Sequence, residues 1–192
     1  MKIWIWLLYI WDGGVSVGAH EKGKIIDVVN ALNGDGAFAP TRAGKIPATS
    51  LVELCFSGKY NKKEMMDLIT KNGGLTSHLG TSDAREVEAL IEKGDAYAKI
   101  VYDAMIYQIA KDIGAYSIPL KGNIDGIIIT GGMAHSDYIV NELKRYISFL
   151  GKVIVIPGEE EMQALSNGAL RVLTGEEKAR EYTAEPVWKP HF

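Results

Sequence analysis

Arg42 stands in a segment rich in glycine and proline, residues 33–47 (NGDGAFAPTRAGKIP), between Pro40 and Pro47. A loop of this length without apolar periodicity is usually functional or disordered. An arginine can bind carboxylate or phosphoryl oxygens through two parallel hydrogen bonds and offset the charge that builds during transfer. An ordinary solvated loop arginine is the alternative, and the residue type alone does not decide between them.

Two glycine pairs could accept a phosphorylated ligand. Gly13 and Gly14 mark a tight turn, where glycine permits a positive φ and lets a phosphate approach the backbone, and the Ser16 hydroxyl could add a donor. A plain β-hairpin turn is the alternative. Gly131 and Gly132 follow an apolar run, at the position beyond a strand end where α/β sheets bind ligands, and leave room for a flat adenosine.

Several other site types find little support. The sequence has neither a Gly-x-Gly-x-x-Gly fingerprint nor a Walker lysine, so a Rossmann or P-loop site is not indicated. The 4 histidines show no ligand spacing, and the single cysteine, Cys55, excludes a disulfide framework. The acidic run at 159–161 follows Pro157-Gly158, where it would favourably cap a helix N-terminus. Asp27 ends an apolar run, where a turn-capping role is one interpretation.

The pattern of apolar residues predicts the elements that must position these groups. Residues 3–11, 15–20 and 24–30 read as three strands with tight turns, a meander. The unbroken apolar stretch 3–11 is typical of a central strand; a signal peptide is the alternative. Helices are predicted at 48–56, 62–70, 81–93, 95–116, 136–149 and 160–173, and further strands at 124–130 and 152–156.

A meander followed by parallel strands predicts an α/β fold with a mixed sheet and helices on both faces. The order of elements is that of a single ribonuclease-H-like domain, here residues 1–182 with a tail at 183–192. The apolar stripe on the 95–116 helix is expected to be core or a subunit interface: Ala98, Val101, Tyr102, Met105, Ile109 and Ile113.

The composition of the 192 residues is that of a globular protein, with 47% hydrophobic and 23% charged residues. The net charge is −3 without a basic run, so no nucleic-acid partner is expected. The apolar stretch 3–11 is shorter than the roughly 20 residues of a membrane span, so no membrane association is expected either. One cysteine fits a cytoplasmic setting.

Several segments together resemble butyrate kinases of the acetokinase family, within the acetate/sugar kinase and actin superfamily. They are GGVSVGAH at 13–20, DVVNALNGDGAFAPTRAG at 27–44, LCFSGKY at 54–60, LGTSDAREV at 79–87, TGGMA at 130–134 and PGEEEMQAL at 157–165. The resemblance extends over residues 13–182. It implies an enzyme that transfers the γ-phosphoryl group of ATP to butanoate, with Mg²⁺ on the phosphates.

The resemblance also implies roles for particular residues. Arg42 matches the catalytic arginine and Asp27 a site carboxylate, and Gly13, Gly14 and Ser16 match the phosphate-binding hairpin. The adenosine contacts correspond to Gly131, Gly132 and Met133, and Glu160 to the glutamate linked to magnesium. The segment at 83–88 is most simply a solvated helix start, although in the family it could help to shape the acyl pocket.

The chain departs from the family pattern in two respects. Butyrate kinases have His-Leu-Gly-Gly-Gly where this chain has Ile10-Trp11-Asp12-Gly13-Gly14, and the Asp12 carboxylate would repel a phosphate. No residues match the family's first domain, so we expect a truncated, C-terminal half that is inactive alone. Three alternatives are half of a split enzyme, a non-catalytic nucleotide-binding module, and an interaction protein that only self-associates. Self-association as a homo-oligomer or pairing with a separate N-terminal half is expected.

Overall fold

A computed structural model describes residues 3–10, 13–158, 161–179, 181 and 183, with the side chains of those from residue 13 onward except Glu161. The chain divides into two compact units, residues 1–158 and 159–192. The first unit contains the sheet and most of the helices. Asp12 and most of the predicted 183–192 tail lie outside the described residues. The expectation that the Asp12 carboxylate repels a phosphate therefore stays a prediction.

The first unit is built on a five-stranded mixed sheet in the order β3-β2-β1-β4-β5. β1 (Ile3–Ile10), β2 (Gly14–Glu21) and β3 (Lys24–Val28) form the predicted antiparallel meander. β4 (Gly126–Gly131) pairs in parallel with β1, and β5 (Val153–Pro157) in parallel with β4. The mixed α/β architecture predicted from the sequence is therefore confirmed, with β1 as the central strand.

The turn between β2 and β3 shows why the meander is tight. Lys22 has φ 55° and Gly23 φ 76°, and two successive positive φ values suit the right-handed twist of paired strands. β4, by contrast, is a run of isoleucines at which Ile127, Ile128 and Ile129 are all buried. Such continuous burial is typical of parallel strands covered on both faces.

Seven α-helices complete the described chain: α1 (Ala48–Phe56), α2 (Lys62–Thr70), α3 (Gly74–Leu79), α4 (Ala84–Glu92), α5 (Ala96–Ser117), α6 (Asp137–Ile147) and α7 (Glu161–Leu173). Short 3₁₀ turns occur at Ala31–Asn33 and Gly132–His135. α1 and α2 have the predicted bounds. α3 was not predicted, because the Gly73-Gly74 pair reads as a helix breaker.

Side-chain caps fix where the main helices begin. The Asn61 side chain accepts a hydrogen bond from the Glu64 N–H at 3.0 Å, and the Glu64 carboxylate accepts one from the Asn61 N–H at 2.7 Å. This reciprocal capping box satisfies two otherwise unpaired donors of α2. Asp95 accepts from the Tyr97 and Ala98 N–H groups, each at 3.0 Å, and so starts α5.

α5 is the central helix of the unit and packs against β2, α3, α4 and α6. All of the apolar positions predicted for its stripe are buried, so the core interpretation is confirmed: Ala98, Val101, Tyr102, Met105, Ile109 and Ile113. Within the described chain, no helix is both long and apolar enough to cross a membrane.

Candidate functional site

The glycine turn between β1 and β2 lies directly against the loop that carries Arg42. The Thr41 N–H donates a hydrogen bond to the Gly13 carbonyl at 3.1 Å. Gly13 has φ 69°, and a Cβ there would lie 2.5 Å from Thr41 Oγ1. The structure therefore joins two segments that the sequence assigned separately, the phosphate hairpin and the arginine loop.

Gly14 makes room for the Arg42 guanidinium. A Cβ at Gly14 would lie 2.0 Å from Arg42 Nη1 and 2.4 Å from Cζ, closer than any side chain can tolerate. The sequence predicted this glycine as a phosphate contact. The structure adds a second reason for it, because only a residue without a side chain lets the guanidinium lie against the start of β2. Ser16, two residues further along the strand, is buried.

Arg42 is itself buried, with 4% of its surface exposed. Its Nε and Nη1 atoms are inaccessible to solvent and have no hydrogen-bond partner among the described residues. A buried charged group without a partner is costly, and proteins normally pair such groups or use them to bind ligands. The arrangement suits an anionic ligand whose oxygens would accept from the guanidinium.

The backbone of the Arg42 loop is held on both sides of the arginine. The Ala39 N–H donates to the Arg42 carbonyl at 3.0 Å, and the Ala43 N–H donates to the Ile69 carbonyl at the same distance. On the other side, the Gly73 N–H donates to the Thr41 carbonyl at 2.9 Å. The loop is therefore ordered by hydrogen bonds to the end of α2 and the start of α3.

Asp27 lies on the exposed edge strand β3, and its Oδ1 accepts a hydrogen bond from the Val28 N–H at 2.9 Å. Burial, and then the charges of Asp27, Asp35 and Asp112, raise the pKa of Tyr116. No hydrogen bond or ion pair links Asp27 to Arg42 in the part of the chain that the structure describes. Its assignment as a site carboxylate stays a prediction.

A cavity of about 630 Å³ lies at the end of β4. One side is formed by the turn after β4, where Gly131 has φ 89° and Gly132, Met133 and His135 line the cavity. Pro40, two residues before Arg42, also lines it. The predicted nucleotide residues Gly132 and Met133 thus share a cavity with the arginine loop, whereas Gly131 supplies the turn behind them.

The opposite side of the cavity is the start of α4, which the sequence interpretation took for a solvated helix end. Ser82, Asp83, Ala84, Arg85 and Glu88 line it. Asp83 caps α4 by accepting from the Arg85 N–H at 2.9 Å, and the Arg85 guanidinium pairs with its carboxylate at 2.6 Å. These side-chain hydrogen bonds from Arg85 are the main reason that the pKa of Asp83 falls to about 2.

Nothing in the local pattern distinguishes these residues from any capped, charged helix start. The available sequence signal was the family resemblance of LGTSDAREV, from which shaping of the acyl pocket stays an alternative prediction. The side chain of Arg85 is 90% exposed, so its guanidinium remains accessible to a ligand that enters the cavity.

The predicted magnesium residue, Glu160, lies outside the described residues. Among the described residues, no group of three or more His, Cys, Asp or Glu side chains could hold a metal ion. Magnesium usually keeps several waters and takes one or two protein carboxylates together with substrate phosphates. A single carboxylate beside a nucleotide would therefore be sufficient.

Comparison with known proteins shows which family the sequence of this chain matches. A family model described as the acetokinase family matches residues 7–179. An acetate kinase from Porphyromonas gingivalis matches 88% of this chain with a TM-score of 0.77 and 24% identity, over 49% of its own length.

Two further solved structures match in the same way. A propionate kinase from Francisella tularensis subsp. tularensis SCHU S4 has a TM-score of 0.72 and 25% identity, with 84% of this chain and 47% of its own length covered. An acetate kinase from Entamoeba histolytica has a TM-score of 0.73 and 22% identity, with 88% and 51% covered. The chain thus spans about half the length of these solved structures.

Replacing Arg42 by methionine tests whether its guanidinium is kept for ligand binding and not for stability. Because Nε and Nη1 are buried without partners, we expect Arg42→Met to leave the free energy of unfolding unchanged or to raise it by about 1–3 kcal/mol. Urea denaturation without added anions measures it. The exposed Arg145→Met is the control, with an expected change below about 0.5 kcal/mol. A loss above about 1 kcal/mol for Arg42→Met contradicts this interpretation.

Adding a methyl group at Gly14 should displace the guanidinium. We expect Gly14→Ala to weaken MgATP binding about tenfold while costing little stability, because the clashing atoms are the far end of a side chain. Isothermal calorimetry measures the affinity. Gly18→Ala is the matched control on the same strand, since its Cβ would meet nothing closer than 3.4 Å. Equal affinities for the two variants would show that Gly14 does not position Arg42.

Proposed function

Because this chain belongs to the acetokinase family, we propose that it carries the nucleotide side of an ATP-dependent carboxylate kinase with butanoate as the acceptor. The observation that carries the proposal is the buried Arg42 guanidinium, whose Nε and Nη1 have no partner among the described residues and which lies against Gly14 on a loop that also lines the cavity at the end of β4. We also propose that the described sheet, ordered β3-β2-β1-β4-β5, belongs to a ribonuclease-H-like domain spanning residues 1–182.

In the proposed reaction a butanoate carboxylate oxygen attacks the γ-phosphorus of ATP. A new oxygen–phosphorus bond forms, the bond between the γ-phosphorus and the β,γ-bridging oxygen breaks, and ADP leaves with that electron pair. Arg42 would donate hydrogen bonds to the equatorial oxygens of the transferring group, where negative charge is spread in the transition state. The loop's hydrogen bonds hold the arginine in place beforehand, so little reorganisation is needed.

The cavity is proposed to accept the nucleoside. Its volume of about 630 Å³ lies within the range of roughly 300–1,000 Å³ typical of small-molecule sites. Gly132 and Met133 would face one side of the nucleoside and Arg85 the other. An arginine can stack its planar guanidinium on an aromatic base as well as pair with a phosphate. Gly13, Gly14 and Ser16 would approach the phosphates from the hairpin.

Magnesium bound to the nucleotide phosphates would neutralise charge on the β- and γ-phosphoryl oxygens. We propose that Glu160 supplies the single protein carboxylate near that ion and that Asp27 contributes a site carboxylate at the edge of β3.

The acceptor is proposed to be butanoate because of the resemblance of residues 27–44 and 79–87 to butyrate kinases. The rest of the carboxylate site is proposed to come from a second domain, on a longer polypeptide or on a separate chain. Exposed apolar side chains on the outer face of α5, among them Ile100 and Tyr107, favour a homo-oligomer as a further proposal.

Kinase activity should depend on that second domain. We expect the 192 residues alone to show no turnover with butanoate and MgATP in a coupled ADP-release assay. Adding the complementary family domain should restore activity, with kcat/KM higher for butanoate than for propionate or acetate. Turnover by the 192 residues alone at ordinary kinase rates, about 1–100 per second, would contradict the need for a partner domain. A preference for acetate would contradict the acceptor.

The chain should bind nucleotide whether or not it catalyses phosphoryl transfer. We expect the chain to bind MgADP and Arg85→Ala to weaken that binding about ten- to a hundredfold, since a hydrogen bond to a charged group contributes roughly 1.5–3 kcal/mol. Calorimetry on the unaltered chain, Arg85→Ala and the exposed control Arg145→Ala measures the difference. Binding of MgADP without any activity after adding the second domain would favour a non-catalytic nucleotide-binding module. No binding by the unaltered chain would contradict both functions.

A further inference from the structure

Glu88 lines the cavity, and its side chain accepts hydrogen bonds from two other helical segments. Its Oε1 accepts from the Tyr102 hydroxyl at 2.8 Å and from the Ser136 hydroxyl at 2.5 Å. Glu88 belongs to α4, Tyr102 to α5, and Ser136 caps α6. A single carboxylate oxygen therefore links three helices beside the cavity.

The hydroxyl groups of Tyr102 and Ser136 both donate their hydrogen bond to Glu88. Tyr102 is fully buried, so its hydroxyl requires a partner inside the protein. Burial, and then the hydrogen bond to Glu88, raise the pKa of Tyr102, which keeps the phenol protonated and donating. The Ser136 hydroxyl donates to Glu88 and accepts from the Ile139 N–H at 3.0 Å. It thereby fixes the start of α6 directly after the Gly132–His135 turn.

The two sides of the cavity meet at this carboxylate. One side is the start of α4, with Asp83 and Arg85; the other is the Gly132–His135 turn that leads into α6. Among the described residues, the hydrogen bond from Ser136 to Glu88 is the one that connects α4 with residues 132–147. α4 and α6 both pack against α5, so α5 is the other connection between the two sides.

We propose that Glu88 is a positioning residue for nucleotide binding, which holds the two sides of the cavity at the separation that a nucleoside requires. This inference rests on the proposed nucleotide-binding function and concerns the same cavity. Glu88 acts through Ser136 and Tyr102, and the inference assigns it no contact with the reacting atoms.

The direction in which Glu88→Gln changes the affinity for MgADP distinguishes a positioning role from an effect of charge alone. Glu88→Gln removes a negative charge beside a cavity that is proposed to hold an anionic nucleotide, so an effect of charge alone would tighten MgADP binding. Positioning predicts the reverse, because a neutral amide is a weaker acceptor for two hydroxyl donors. Glu92→Gln is the matched control, an exposed glutamate on the same helix.

The experiment measures MgADP affinity by calorimetry and the melting temperature for Glu88→Gln, Tyr102→Phe and Glu92→Gln. We expect the first two to bind about three- to tenfold more weakly than the unaltered chain and the control to bind within twofold. Tyr102→Phe removes one donor without changing charge. Unchanged affinity with a lowered melting temperature would mean that Glu88 is merely structural, and tighter binding by Glu88→Gln would mean that it acts by charge. Either result overturns the inference.

A measurement without nucleotide separates failure of this inference from failure of the proposed function. Amide hydrogen exchange over residues 132–140 should accelerate in the ligand-free Glu88→Gln variant and stay unchanged in Glu92→Gln. Unaltered exchange in Glu88→Gln overturns the inference whatever the affinities are. If exchange accelerates but the unaltered chain binds no MgADP, the proposed function fails, and the positioning role for nucleotide fails with it.

Discussion

The contact between a buried guanidinium and a glycine organises the rest of this site. Arg42 lies where a side chain at position 14 would collide with it, and two of its nitrogens are left without hydrogen-bond partners among the described residues. An unpaired buried charge costs stability, so the surrounding structure must hold it in place. It does so with backbone hydrogen bonds on both sides of the loop and with the glycine turn that ends β1 and begins β2. The fold thus supports a local arrangement that suits the proposed binding of an anion.

A second anchor for the same loop comes from α5. The Phe38 N–H donates to Gln108 Oε1 at 3.2 Å, and Lys45 pairs with Asp112, one helical turn further along. Asp112 is almost fully buried, whereas Lys45 is mostly exposed, so the carboxylate depends on the lysine more than the reverse. The helix whose apolar stripe forms the core therefore also presents a polar row to the loop. Core packing and loop position are set by one rigid element.

Much of this architecture was accessible from the sequence, for identifiable reasons. The stripe on α5 and the isoleucine run of β4 are long, regular patterns, and both were placed correctly. α3 was missed because Gly74 looks like a breaker; its φ of 58° and a would-be Cβ 1.6 Å from the Ala39 carbonyl oxygen reflect a tertiary contact that no local pattern reveals. Asp83 and Arg85 were taken for a solvated helix start for the same reason, since a capped, charged helix end has one sequence pattern whether it faces water or a cavity.

The two sides of the site are held by different kinds of interaction, and this difference bears on how they can work. The backbone that carries Arg42 is held by hydrogen bonds, and its buried side chain lies in the space left by Gly14. The start of α4, with Arg85, is linked to the Gly132–His135 turn through the side chains of Glu88 and Ser136 and through the packing of α4 and α6 against α5. Electrostatic stabilisation of a transferring group requires preorganised donors, whereas a nucleoside must enter and leave. In the proposed phosphoryl transfer, an arginine on a loop held by its backbone, beside a cavity lined by side chains, would meet both requirements.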